Sequence, residues 1–157
     1  YDLVINLADR GPHQTSQLHY ENFEQCKYRL ANVNIKEKHK LVWSRDYKKE
    51  DFIYDKFVSH KDYVFLHNSS SHNEVVSYPD FNLPVVKFEV IKDYTIFDWY
   101  KVIINAKNIL CTESSIWAFV DGIINELKST PYLLSRNGLT NKRKYTLSKN
   151  WSTEYLL

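Results

Sequence analysis

Two polar clusters interrupt the apolar runs of this sequence, and both carry side chains able to hold an anion. The first, Thr112-Glu113-Ser114-Ser115, follows the apolar run that begins at Asn108. It precedes Ile116, Phe119, Val120, Ile123 and Leu127, which fall on one stripe at helical spacing. A helix start offers unpaired N–H groups and about half a positive charge, so this turn is where a diphosphate would sit. Ser114 and Ser115 add hydroxyl donors, and Glu113 can accept hydrogen bonds from ribose or sugar hydroxyls. The competing reading is a plain cap, with Ser114 or Ser115 starting the helix, Glu113 complementing its dipole and nothing bound.

The second cluster, His67-Asn68-Ser69-Ser70-Ser71-His72-Asn73, follows the aromatic and β-branched run at 63–66. At the end of a buried strand His67 can hydrogen-bond a phosphate or sugar oxygen, and Asn68 and Ser69 are small polar groups that allow close approach. His67 and His72 lie five apart with only Glu74 as a nearby third ligand, so no metal is expected, and no Gly-x-Ser-x-Gly elbow sets up a serine for acyl transfer. The three glycines, Gly11, Gly122 and Gly138, cannot build a dinucleotide fingerprint or a P-loop. Any anion must be held by helix starts and side chains.

The elements that position these clusters follow from the hydrophobic periodicity. Strands are predicted over 2–7, 41–43, 63–66, 74–78, 85–91, 108–112 and 132–134. Helices are predicted over 14–32, over 47–58 behind Asp46 as N-cap, over 96–107 behind a Thr95/Asp98 capping box, and from Ser114 to about Leu127. Trp151 is expected to pack back onto the body. Alternating strands and helices give an α/β fold, a Rossmann-like, mostly parallel sheet flanked by helices. In such sheets ligands lie beyond the carboxyl ends of the strands, where both polar clusters fall.

The bulk numbers exclude several classes. The 157 residues are 43% hydrophobic and 25% charged, an ordinary globular composition. A net charge of +2 gives no nucleic-acid partner, although 127–153 holds no acidic residue and carries Lys128, Arg136, Lys142, Arg143, Lys144 and Lys149. That basic stretch suits an anion or is simply a solvated surface. The twelve tyrosines fall mainly on apolar faces, which argues against base stacking. No run approaches a transmembrane span. Cys26 and Cys111 offer neither a disulfide framework nor zinc-finger spacing, and Cys111 reads as a buried hydrophobe. A cytoplasmic location is expected, with peripheral membrane attachment as the alternative. The absence of methionine implies a piece of a longer reading frame.

The segment from Tyr94 to Gly122, with its helix ending in Asn105-Ala-Lys, its strand and its Thr112-Glu113-Ser114-Ser115 turn, resembles the C-terminal, donor-binding domain of GT-B-type glycosyltransferases. It is similar to those of bacterial polysaccharide and heptosyl transfer. Asp62-Tyr-Val-Phe-Leu-His67-Asn-Ser-Ser resembles the first strand and loop of that domain, and Ser44-Arg45-Asp46 the link from the acceptor domain. The resemblance spans roughly 42–151. It implies a lead-in over 1–58 and a nucleotide-sugar-binding domain over 59–157. It further implies metal-independent transfer from a nucleotide diphosphate-sugar to a glycan or lipid-linked acceptor, with no cofactor and with a partner N-terminal domain lying outside this chain. His67, Asn68, Ser69, Thr112, Glu113, Ser114, Ser115 and Arg136 would hold the donor, and Asp9 or His13 would act as base. Glu113 and Asp121, eight apart, loosely match the paired carboxylates of retaining members, with Asp in place of the second Glu. Two other classes compete: a non-catalytic nucleotide- or glycan-binding module, and a structural interaction domain.

Overall fold

Asp46 starts the first long helix among the described residues, its carboxylate accepting from the Lys49 amide at 3.2 Å. The computed structural model describes residues 28–69, 75–112, 114–134 and 151. Helix α1 (Tyr47–Phe57) ends where the Val58 amide turns back to the Tyr54 carbonyl, and it buries Ile53 completely. The predicted strand at 2–7 and the predicted helix at 14–32 lie outside the described residues up to 27; of the rest, 28–30 are helical and 31–32 form a turn.

Among the described residues four strands form an all-parallel sheet: β1 (Val64–His67), β2 (Val85–Lys87), β3 (Asn108–Thr112) and β4 (Pro131–Leu134), in the order β2-β1-β3-β4. Between β2 and β3 lie a 3-10 turn, Ile96–Trp99, and helix α2 (Tyr100–Asn105). Between β3 and β4 lie helix α3 (Ser115–Gly122) and a second 3-10 turn, Ile124–Glu126. This is the predicted α/β, Rossmann-like architecture.

Strand alternation splits the core into two layers. Phe65, Val86, Ile109, Cys111 and Leu133 face the helices and join Ile53, Trp99, Ile103, Ile116 and Val120. Val64, Leu66, Leu110 and Leu134 face the other way and are covered by Val76, Phe81, Leu83 and Tyr132. The two layers follow from the direction of the connections. Those to β3 and to β4 run the same way across the sheet and put α2 and α3 on one face. The connection from β1 to β2 runs the opposite way and covers the other face, as a constant crossover hand requires.

Several predicted elements come out differently. Residues 41–43 are not a strand; Trp43 instead lies edge-on to Tyr100 and Phe119, at 5.3 and 5.5 Å between ring centroids. The strand at 74–78 reduces to a single antiparallel bridge, Ser69 with Val75, because Asn68 binds Val76 through its own backbone and amide. The strand at 85–91 stops at Lys87. The helix at 96–107 opens as a 3-10 turn, with the Asp98 carboxylate accepting from the Thr95 amide and hydroxyl at 2.7 and 3.0 Å, and ends at Asn105. At the far end of α3, a Cβ on Gly122 would meet a Leu41 methyl at 3.2 Å and the Lys38 carbonyl at 3.4 Å. Its bare Cα lets the 3-10 segment Ile35–Lys40 lie against the helix.

Candidate functional site

β1 and β3 are neighbours whose carboxyl ends lead in opposite directions. His67 pairs with Cys111 in parallel register, after which the chain from Asn68 turns over one face of the sheet and the chain from Ser114 enters α3 on the other. In open α/β sheets ligands bind where neighbouring connections diverge in this way, in a crevice beyond the strand ends. His67 and Ser114 stand at this point, Asn68 and Thr112 lie buried beside them, and Ser69 and Ser115 follow one residue further along each chain. Thr112 and His67 are the last residues of their strands rather than loop residues.

Ser114 is the N-cap of α3. Its hydroxyl accepts from the Trp117 amide at 3.2 Å, donates to the Thr112 carbonyl at 3.0 Å and lies 3.2 Å from His67 Nδ1. A hydroxyl has one proton, and here it goes to the carbonyl, so we assign the neutral imidazole its proton on Nδ1 and an acceptor at Nε2. The ring stands edge-on to Phe88 at 5.6 Å between centroids. Burial and the neighbouring Lys87 charge hold the His67 pKa below its ordinary 6.5. Helix geometry leaves the Ser115 and Ile116 amides without intrahelical acceptors, and the Ser115 side chain is exposed.

The depressed pKa has a stability consequence. Between the folded value and the ordinary 6.5 the unfolded chain binds the proton and the folded chain does not, so His67 contributes stability above that window that is lost as pH falls through it. His67→Gln is expected to lessen the decline in urea midpoint below pH 6.5 relative to the parent chain. An identical pH slope in both proteins would contradict the assignment.

The structure brings together six of the sequence-derived site residues: His67, Asn68, Ser69, Thr112, Ser114 and Ser115. Asp9, His13, Glu113 and Arg136 lie outside the described residues. Asp121 is corrected. It is fully buried, its carboxylate paired with Lys38 Nζ at 2.5 Å and accepting from Trp151 Nε1 at 2.7 Å, so it is not a carboxylate open to a sugar. His39 Nδ1 bonds the Asp121 carbonyl at 3.0 Å and closes the cluster. Trp151 thus packs back as expected.

Sequence reasoning missed a second internal cluster. Arg45 forks onto the buried Glu50 carboxylate at 2.8 and 2.5 Å, and its guanidinium lies 4.1 Å from the Tyr100 ring centre and 4.6 Å from that of Tyr47. Tyr100 donates to Glu126, and burial with that contact pushes its phenol up to about 12. These bonds tie the segment before α1 to both helices. Burial also raises the Cys111 thiol, so it stays protonated.

Among the described residues no three His, Cys, Asp or Glu side chains gather as a metal site, and no helix is long and apolar enough to cross a membrane. Comparison with known protein families, curated proteins and solved structures gives no match to this chain.

Proposed function

We propose that this crevice binds the diphosphate of a nucleotide-sugar, and that the chain is the donor-binding part of a GT-B-type glycosyltransferase. The observation that carries the reading is the Ser114-capped start of α3 meeting His67 across the point where the β1 and β3 connections diverge. An eight-residue helix aims its first amides there, beside a Ser115 side chain that is exposed.

In this mechanism the Ser115 and Ile116 amides and the Ser115 hydroxyl take up the charge that develops on the leaving diphosphate. The Ser114 hydroxyl is committed to the cap and to His67, so it positions these groups. Phosphate charge offsets the Lys87 charge and favours the imidazolium, so in this reading the imidazole takes up a proton on binding and donates from Nε2. Glu113 and Arg136 add contacts to the donor, no metal takes part, and a base on the acceptor side, with Asp9 and His13 as candidates, activates a glycan or lipid-linked hydroxyl. A cytoplasmic location belongs to the same proposal.

Calorimetric titration of uridine, guanosine, cytidine and adenosine diphosphates tests the reading, run at pH 7 in two buffers of different ionisation enthalpy. At least one should bind, with proton uptake shown by a buffer-dependent heat. Absence of binding by all four would contradict the proposal and leave the helix start as a plain cap. Binding without donor-dependent transfer by the longer protein would favour a non-catalytic module.

A further inference from the structure

Of the described lysines and arginines, only Lys87 stands at the carboxyl end of a strand. Lys61, Lys107 and Lys128 precede β1, β3 and β4 and so belong to the opposite, amino edge of the sheet, where Lys107 pairs with Asp62 at 2.9 Å. Lys87 is the last residue of β2 and the register partner of Leu66, next to the end of β1. The amide that follows it, that of Phe88, donates to the Leu66 carbonyl at 2.9 Å, and the Phe88 ring lies against His67. The Lys87 side chain is exposed, and no carboxylate among the described residues pairs with it. Its stem leaves the sheet on the face of Leu66 and Leu110, and four carbons let the ammonium turn toward the edge. Among the described residues it is the charged side chain whose field acts on the His67 imidazole.

Strand order sets these groups in a row. α3 starts after β3, His67 ends β1 in the middle, and Lys87 ends β2 on the far side, with neighbouring strands about 4.8 Å apart. Ser114 Oγ already lies 3.2 Å from His67 Nδ1, so the imidazole stands between the helix start and the lysine. We propose that Lys87 binds the phosphate group of the diphosphate that lies farther from α3, an inference that rests on the nucleotide-sugar reading above. A single phosphate is held by the helix start and His67 alone. The second carries its charge toward β2, where a lysine meets it as a point charge on a flexible stem. A neutral ligand would gain little there, because an exposed ammonium is already strongly hydrated.

The test titrates inorganic pyrophosphate and the uridine, guanosine, cytidine and adenosine diphosphates into the parent chain, Lys87→Gln and Lys87→Arg by calorimetry. It also follows the His67 ring protons against pH by NMR, without ligand. Lys87→Gln changes an exposed side chain and should leave the urea midpoint at that of the parent. The His67 pKa should move up toward 6.5, because the charge that disfavours the imidazolium is gone. Affinity for pyrophosphate, and for each nucleoside diphosphate that the parent binds, should fall about tenfold or more, the loss of one hydrogen bond between charged groups. Lys87→Arg keeps the charge and should recover most of that affinity.

A smaller loss in Lys87→Gln is what a screened surface charge gives, and it would overturn the contact. A His67 pKa that does not move in Lys87→Gln would also overturn it, since the ammonium would then lie away from this edge. Retained affinity in Lys87→Gln with the parent still binding removes the Lys87 contact alone. No binding of any probe by the parent chain removes the nucleotide reading together with it.

Discussion

Replacing Asp121 by alanine should destabilise the fold by about 3 to 5 kcal/mol, the usual cost of breaking a buried ion pair by removing one of its members. Lys38 and Asp121 have side chains only 6% and 1% exposed, so little water can replace the lost carboxylate, and Trp151 Nε1 loses its acceptor as well. Asp121→Asn keeps an acceptor for Trp151 and should recover part of the loss. Urea unfolding with an unchanged slope and a lowered midpoint gives the measurement. A midpoint for Asp121→Ala equal to that of the parent chain would show that the pair is not a structural clamp. Loss of sugar transfer in Asp121→Asn at full stability would return the residue to the catalytic carboxylates that the resemblance suggested.

The second large effect concerns binding. Ser115→Asp places a carboxylate beside the first free amides of α3, where it would occupy the position of a diphosphate and repel it. Nucleoside diphosphate affinity should fall by about 100-fold or more, because two hydrogen bonds to charged oxygens, each worth about 1.5 to 3 kcal/mol, are replaced by repulsion. The unliganded helix should be intact or slightly firmer, since a negative charge in the first turn suits the dipole. Ser114→Ala should behave differently and lower stability by about 1 kcal/mol, because Ser114 is the cap that accepts from the Trp117 amide. Equal nucleotide affinity in the parent chain and Ser115→Asp would place the phosphates elsewhere.

What was legible in the sequence is what local physics specifies. Asp46 ahead of a half-apolar run started α1 where expected, the run at 108–112 became β3 residue for residue, and Ser114 took the cap. His67 and Ser114 open on the same edge because parallel strands must end together. What was not legible depends on contacts between distant residues. The strand expected over 74–78 leaves a single bridge at Val75, and the Asn68 side chain takes the Val76 carbonyl. The Thr95/Asp98 capping box forms as expected, but the pattern did not announce that the helix opens as a 3-10 turn at Ile96–Trp99. Lys38, Asp121 and Trp151 meet only in the fold, and nothing in their spacing announces a buried pair. Lys87 gives no signal in the pattern either, because its place beside His67 depends on the strand order.

Amide NMR of the labelled chain, titrated with the nucleoside diphosphate that binds best in calorimetry, tests the crevice most directly. The expected result is that the largest shifts fall on the Ser115 and Ile116 amides, with the His67 ring protons moving toward their protonated positions and the Asp121 and Arg45 clusters still. Saturable binding that leaves Ser115, Ile116 and His67 unshifted would contradict the placement of the diphosphate at the start of α3.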